Sequence, residues 1–213
     1  MHFILSNDLY AKNGILEDMH IIVRDDGYKS PLCMIDEGFI SSEYCQTVLK
    51  NLKSEFKDLC IIEVSGKEEP SYDSLRKYLE EAKRYNVDII LGIGGGSCMD
   101  VSKAVGGLLK NHGDPIDFRG FDKVINPGVP VYLIPTTAGT GSEASFNASL
   151  VDKDSNKKLG INGINMFAKK SFLDGKTTLS CPRMPAVGAS VDAIVHAMEL
   201  SLIHISEPTR QAT

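Results

Sequence analysis

The stretch Val87–Asp100, VDIILGIGGGSCMD, decides the fold. Its first half is a short apolar run, long enough for one buried strand and too short for an ordinary helix. The run ends in Gly94, Gly95, Gly96 and Ser97, and the residues from Val101 to Leu109 then read as a helix. A strand, a glycine turn and a helix in that order open a βαβ unit. Glycines let backbone N–H groups approach an anion without Cβ obstruction. The helix N-terminus adds free donors and a dipole that favours phosphate. Two readings fit these residues, a tight structural turn and a diphosphate cradle. The spacing is not G-x-G-x-x-G, because Ser97 stands where the last glycine would be, and it is not a P-loop. Ser97 is placed either to cap the helix or to bond a phosphate oxygen. Asp100 reads as a first-turn acid that favours the dipole.

Outward from this stretch the pattern repeats. Pro31–Ile35 reads as a buried strand ending at Asp36, Glu43–Lys57 as a helix, and Leu59–Val64 as a second strand. Tyr72–Tyr85 is amphipathic, with Leu75, Tyr78, Leu79 and Ala82 on one face. Val129–Ile134 is a further strand after the glycine helix, and Ser171–Asp174 a short one. Alternating strands and helices predict an open parallel α/β sheet, which binds ligands at the carboxyl ends of its strands. The segment before it, Leu5–Lys29, gives no clear pattern. Asp152–Lys158 is polar, as in a loop or hairpin tip. Thr177–Pro185 reads as a connection between domains, and Ala186–Leu200 as a helix.

Composition narrows the function classes. Among 213 residues, 42% are hydrophobic and 24% charged, which is ordinary for a globular protein. The net charge of −5 argues against a nucleic-acid partner, which favours a basic face. No run reaches the roughly 18 apolar residues that a membrane span needs. No signal peptide is visible at Met1–Asp8. The five cysteines have no zinc-knuckle or redox spacing, so free thiols in a reducing cytoplasm are expected.

Two further segments carry chemistry. Pro135–Glu143, PTTAGTGSE, crowds Thr136, Thr137, Thr140 and Ser142 into one loop after a strand. It suits a phosphate, ribose or amide ligand, and equally a polar loop that caps the next element. Asp192 and His196, in DAIVH, lie one helical turn apart. That pair can bind one divalent metal or form an ordinary helix-face ion pair.

Together these segments resemble the iron-containing (group III) alcohol dehydrogenase family. GGGSCMDVSKA, PTTAGTGSEAS and SVDAIVHAME occur in the family's order, with the landmarks Pro70, Arg119-Gly120 and Lys158 in KKLGI. The resemblance covers about residues 30–199. It implies a Rossmann-like parallel sheet of the dehydroquinate synthase-like kind, over about 1–178, followed by an all-helical domain. Only the first helix of that domain, 179–199, would be present. The resemblance also implies NAD(H)-linked interconversion of a small alcohol and an aldehyde, with Fe²⁺, or Zn²⁺, as Lewis acid. The metal ligands would be one aspartate and three histidines. Asp192 and His196 match the first two, and the others would lie beyond this chain. Gly94, Gly95, Gly96, Ser97, Asp100, Thr136, Thr137, Thr140 and Ser142 would contact the cofactor, with Lys158 and Leu179 as weaker matches. Asp36 would bond the adenosine ribose and favour NAD over NADP. The full-length protein would be a cytoplasmic homodimer. No side-chain general base is evident, and the chain by itself is expected to turn over little.

Two departures stand out, Ser190-Val191 before the aspartate and Gly175 where proline is common; neither removes a ligand. A glycerol dehydrogenase-like enzyme and a nucleotide-binding module without catalysis are the alternatives. Asp192 and His196 argue against a metal-free maleylacetate reductase. From Leu200 the sequence leaves the family pattern. Leu200–Arg210 agrees at every position with the translation of a common transposase sequencing adapter, so 200–213 is expected to be a non-native tail, and His204 is not counted as a ligand.

Overall fold

The computed structural model describes residues 7–206, with side chains as far as residue 202. The elements run β1 (Asp8–Ala11), α1 (Met19–Asp25), β2 (Pro31–Asp36), α2 (Glu37–Ile40), α3 (Glu43–Glu55), β3 (Cys60–Val64), α4 (Tyr72–Ala82), β4 (Ile89–Gly94), α5 (Gly96–Leu108), β5 (Gly120–Phe121), β6 (Val131–Pro135), β7 (Asn147–Asp152), β8 (Lys157–Asn162), β9 (Lys170–Leu173), α6 (Gly175–Thr178) and α7 (Arg183–Ser206). Six strands form one parallel sheet in the order β1-β9-β6-β4-β2-β3. The open parallel α/β sheet expected from the sequence is therefore present.

Burial on both faces explains why its central strands read as unbroken apolar runs. In β2, Leu32 and Met34 pack with α4 and α5, while Cys33 and Ile35 pack with α1 and α3. All of β4 and all of β6 are buried. Ser42 caps α3 by accepting from the Cys45 N–H, and Ser71 and Ser74 form a reciprocal capping box on α4.

The chain runs outward from β2 to β3, crosses back over β2, and enters β4 on its other side. Helix α3 covers one face on the way out and α4 the other on the way back. The crevice between the carboxyl ends of β2 and β4 is therefore the point where strand order reverses, the usual ligand position in such sheets.

Several boundaries differ from the sequence reading. Helix α5 begins at Gly96, not Val101, because the glycine turn feeds straight into its first turn. Residues 5–29, which gave no pattern, hold β1 and α1 from residue 8 onward. Asp152–Lys158 is a hairpin tip, but its arms β7 and β8, with β5 parallel to β8, form a separate three-stranded sheet that the sequence reading missed. The connection at Thr177–Pro185 contains the end of α6 and the start of α7, with Pro185 in the first turn, where proline is tolerated. Helix α7 continues to Ser206, past the residue where the family pattern ends; 207–213 lie outside the described residues.

All five cysteines are free thiols, and Cys33, Cys45 and Cys98 are buried. Burial raises the Cys45 thiol to about 12. No helix among the described residues is long and apolar enough to cross a membrane.

Candidate functional site

A cleft of about 700 Å³ opens at the switch point. Of the residues singled out in the sequence, Asp36, Gly95, Gly96, Ser97, Thr136, Thr137, Thr140 and Asp192 line it. They come from four separate parts of the chain: the end of β2, the start of α5, the loop after β6, and α7.

The glycine turn forms the floor. Gly94 is buried at the end of β4, and a Cβ there would meet Cys98 at 2.5 Å and Asp36 at 2.9 Å. Gly94 thus lets Asp36 and α5 approach each other and does not itself line the cleft. Gly95 is the N-cap of α5 and supplies no side-chain cap. Ser97 is therefore not the cap; it is the helix's second residue, exposed, with no hydrogen-bond partner for its hydroxyl among the described residues. The first-turn N–H groups and this hydroxyl are left for an anion.

The threonine loop forms the facing wall. Thr136 N–H donates to the Gly94 carbonyl at 2.9 Å, which ties the loop's entrance to the glycine strand. A Cβ on Gly95 would lie 3.4 Å from Thr137, and one on Gly96 3.1 Å from Thr140. The loop therefore sits at contact distance over the turn. Thr136 is 7% exposed, and its hydroxyl makes no hydrogen bond among the described residues. Thr137 Oγ1 is buried and also unpaired. Buried polar groups are normally satisfied, so the orphaned Thr137 hydroxyl in the cleft wall fits a polar ligand.

Asp36 closes the end of β2. Its Oδ1 accepts from the Gly38 N–H at 2.9 Å, which caps α2. Burial pushes its carboxyl above the ordinary range, against that N–H. Gly66 leaves its other oxygen open, since a Cβ there would stand 3.3 Å from Oδ2.

Besides Gly94 and His196, four singled-out residues lie outside the cleft lining. Asp100 is in the second turn of α5, where it accepts from the Ser142 hydroxyl and the Ser149 N–H. It acts on the loop and not on the helix dipole. Ser142 is 8% exposed and turned toward Asp100. Lys158 pairs with Glu69 at 3.3 Å on the surface. Leu179 is 83% exposed, beside a shallow hollow with Tyr44 and Lys176.

On α7, His196 Nδ1 stands 3.9 Å from Asp192 Oδ2, and both side chains are about half exposed. Their spacing and donor types suit one divalent cation. Among the described residues, no group of three or more His, Cys, Asp or Glu side chains converges. Asp192 also lines the cleft, so this pair adjoins the cleft's open side.

Sequence reading missed two anchors. Lys103 lies within the quoted GGGSCMDVSKA, yet a lysine in a helix reads as solvent-facing; here it is buried under the threonine loop. Asp174 is 3% exposed and accepts from the Gly14, Leu16 and Lys176 N–H groups and from the Tyr44 hydroxyl. Its position at the end of a predicted strand was the one available signal.

A doubly covered parallel sheet with an uncapped glycine turn at its switch point belongs to the Rossmann-like α/β class. Within that class the chain belongs to the iron-containing alcohol dehydrogenase family, whose model, described as Iron-containing alcohol dehydrogenase, matches residues 6–175. It is 44% identical over 132 residues to sulfoacetaldehyde reductase of Bilophila wadsworthia, covering 62% of this chain and 34% of that protein. It is 27% identical over 199 residues to NAD-dependent methanol dehydrogenase of Bacillus methanolicus, covering 93% and 52%. Among solved structures, an iron-containing alcohol dehydrogenase of Thermotoga maritima superposes with a TM-score of 0.78 at 31% identity, covering 92% of this chain and 54% of that one. NADH-dependent butanol dehydrogenase A of the same organism gives 0.82 at 26%, covering 93% and 50%. The chain thus spans about a third to about half of the length of these relatives.

Proposed function

We propose that this chain is the dinucleotide-binding part of an NAD(H)-linked dehydrogenase that interconverts a small primary alcohol and its aldehyde. The observation that carries the reading is the convergence of Asp36, the uncapped glycine turn and two unpaired threonine hydroxyls in one switch-point cleft, with Asp192 in its wall.

Each residue has a role in this reading. The first-turn N–H groups of α5 and Ser97 bind the diphosphate. Asp36 accepts from the adenosine ribose and repels a 2′-phosphate. Thr136 and Thr137 meet the nicotinamide half. Asp192 and His196 would supply two of the ligands to a divalent cation, Fe²⁺ or Zn²⁺. That cation would act as a Lewis acid on the substrate oxygen. The nicotinamide, when bound, accepts or gives the hydride. The split into an α/β domain at 1–178 and the start of a helical domain at 179–199 belongs to the same reading, as does a homodimeric full-length protein.

The test uses two proteins, this 213-residue chain and a version extended to its relatives' length. Both should quench or enhance NADH fluorescence on titration. Only the long form, with added Fe²⁺, should oxidise butanol or reduce small aldehydes. Sulfoacetaldehyde belongs in that panel because the 44% identical relative bears its name. Absence of NADH binding by both proteins would overturn the proposal. For the 213 residues alone, a nucleotide-binding module without turnover is the second reading, favoured by a metal pair of only two donors on one helix. Turnover by the short chain would remove it.

Asp36→Gly should weaken NADH binding about fivefold and tighten NADPH binding by about the same factor. The expected change in the NADPH-to-NADH affinity ratio is about twenty-fivefold, roughly 1.9 kcal/mol. An unchanged ratio would show that the ribose does not reach β2.

A further inference from the structure

Lys103 is a buried charge to which the proposed function gives no role. It is 1% exposed although it lies in the middle of α5. Its Nζ donates to the Ser142 carbonyl at 2.9 Å, to Ser145 Oγ at 3.0 Å and to the Asn147 carbonyl. Asp100 Oδ1 lies 3.0 Å away. An ammonium has three N–H donors, so these oxygens use all of them. Burial lowers the lysine's pKa, and the Asp100 carboxylate opposes that.

Every hydrogen-bond partner of this pair outside α5 lies between Ser142 and Ser149. That segment is the exit of the threonine loop. The entrance is fixed separately, by the bond from Thr136 N–H to the Gly94 carbonyl. Between these two anchors, Thr137 and Thr140 rest on Gly95 and Gly96.

We infer that Lys103 and Asp100 are positioning residues, holding the threonine loop against the glycine turn in the conformation that receives the phosphate and nicotinamide half of a dinucleotide. The inference rests on the proposed function for its ligand and on the hydrogen-bond network for its mechanism. A loop held in its binding conformation before the ligand arrives loses less entropy on binding. A methionine would fill the space of Lys103, but it would take the ammonium's hydrogen bonds from the Ser142 and Asn147 carbonyls and from Ser145, and leave Asp100 without its counter-charge.

The test takes Lys103→Met and Asp100→Asn in the 213-residue chain and measures amide hydrogen exchange, NADH affinity and AMP affinity. In the proposed binding mode AMP occupies the Asp36 end of the cleft and does not extend to the threonine loop. In Lys103→Met, amides of residues 137–147 should exchange at least tenfold faster, with β2 and β4 unchanged. The NADH Kd should rise at least tenfold, and the AMP Kd should stay within twofold. Asp100→Asn should shift the same readouts by about a third as much on a logarithmic scale, and it decides the matter if the methionine variant does not fold. A folded variant with wild-type loop exchange would overturn the inference. Equal loss of NADH and AMP affinity would also overturn it, because that is the mark of a merely structural residue. If the wild-type chain binds neither nucleotide, the proposed function and the ligand half of the inference both fall. The exchange measurement then decides whether the pair holds the loop.

Discussion

Gly139→Val is expected to cost at least thirtyfold in NADH affinity and to loosen α7 from the sheet domain. Gly139 has φ +142°, and a Cβ placed on it would lie 2.0 Å from the Ala189 carbonyl oxygen and 2.7 Å from its carbon. Both obstacles are backbone, so no side-chain rotation relieves them. The threonine loop and α7 touch at this point through bare main chain. A side chain forces one of them to move. If the loop moves, Thr140 leaves Gly96; if the helix moves, Asp192, one turn after Ala189, leaves the cleft wall. Strain of this kind costs about 2–3 kcal/mol, and about 2 kcal/mol corresponds to the stated loss of affinity. Alanine at 139 should cause most of the effect, because the clash is with Cβ itself. Gly141→Ala is the control. Gly141 also has positive φ, at +64°, but open space around its Cβ position, so only a backbone cost of roughly 1–2 kcal/mol applies. Titration with NADH and hydrogen exchange across the loop and α7 read the outcome. Wild-type affinity in a folded Gly139→Val protein would show that the loop and helix are not held together here.

Asp174→Ala should lower stability by about 3 kcal/mol at neutral pH, a drop of about 6–12 °C in Tm for a chain of this size. The substitution strips four donors of their acceptor: the N–H groups of Gly14, Leu16 and Lys176 and the hydroxyl of Tyr44. Burial pushes the Asp174 carboxyl up, but the Tyr44 hydroxyl and the three N–H groups outweigh it and hold the pKa below the ordinary value. A carboxylate with a depressed folded pKa contributes fully above its unfolded pKa of about 3.9 and loses that contribution as pH falls through the folded value. The gap between wild type and Asp174→Ala should therefore be widest above about pH 5 and shrink on acidification. Denaturant melts at pH 7 and pH 3 measure it. A gap that grows in acid would mean that the carboxyl is held in its neutral form.

These predictions rest largely on contacts that the sequence does not display. The strands β2, β4 and β6 were legible because a strand covered on both faces must be apolar throughout, as the runs IILGI and VYLI are, and the edge strand β3 was legible from Ile61, Ile62 and Val64 despite its exposed Glu63. Strand β1 was not legible, since it has only four residues and all are exposed, so Leu9, Tyr10 and Ala11 show no buried face. Strand β7 alternates buried and half-buried residues, but Asn147, Ser149 and Asp152 hide the pattern. At the site, glycines and threonines announced the cleft because few other roles call for so many of them in one loop. Lys103 and Asp174 gave no such signal. Their partners come from 39 or more residues away at Ser142 and 160 away at Gly14, and only the fold brings those groups together.

The pairing of β1 with β9 has a consequence for how the protein is made. Asp8 lies opposite Lys170, and Ala11 opposite Leu173, so β1, the first strand among the described residues, waits for the last strand of the sheet. While the ribosome extends the chain from β2 through β8, the residues of β1 have no neighbour to bond. The free edge of β9 arrives only after everything between them has emerged. The Asp174 cluster, which bridges to Gly14 and Leu16, can form only at that same moment. Closure of this edge should thus be the last event of assembly during translation. A nascent chain halted before residue 170 has cleared the exit tunnel should remain open to a protease at its N-terminal segment, while β2 and β4 are already protected.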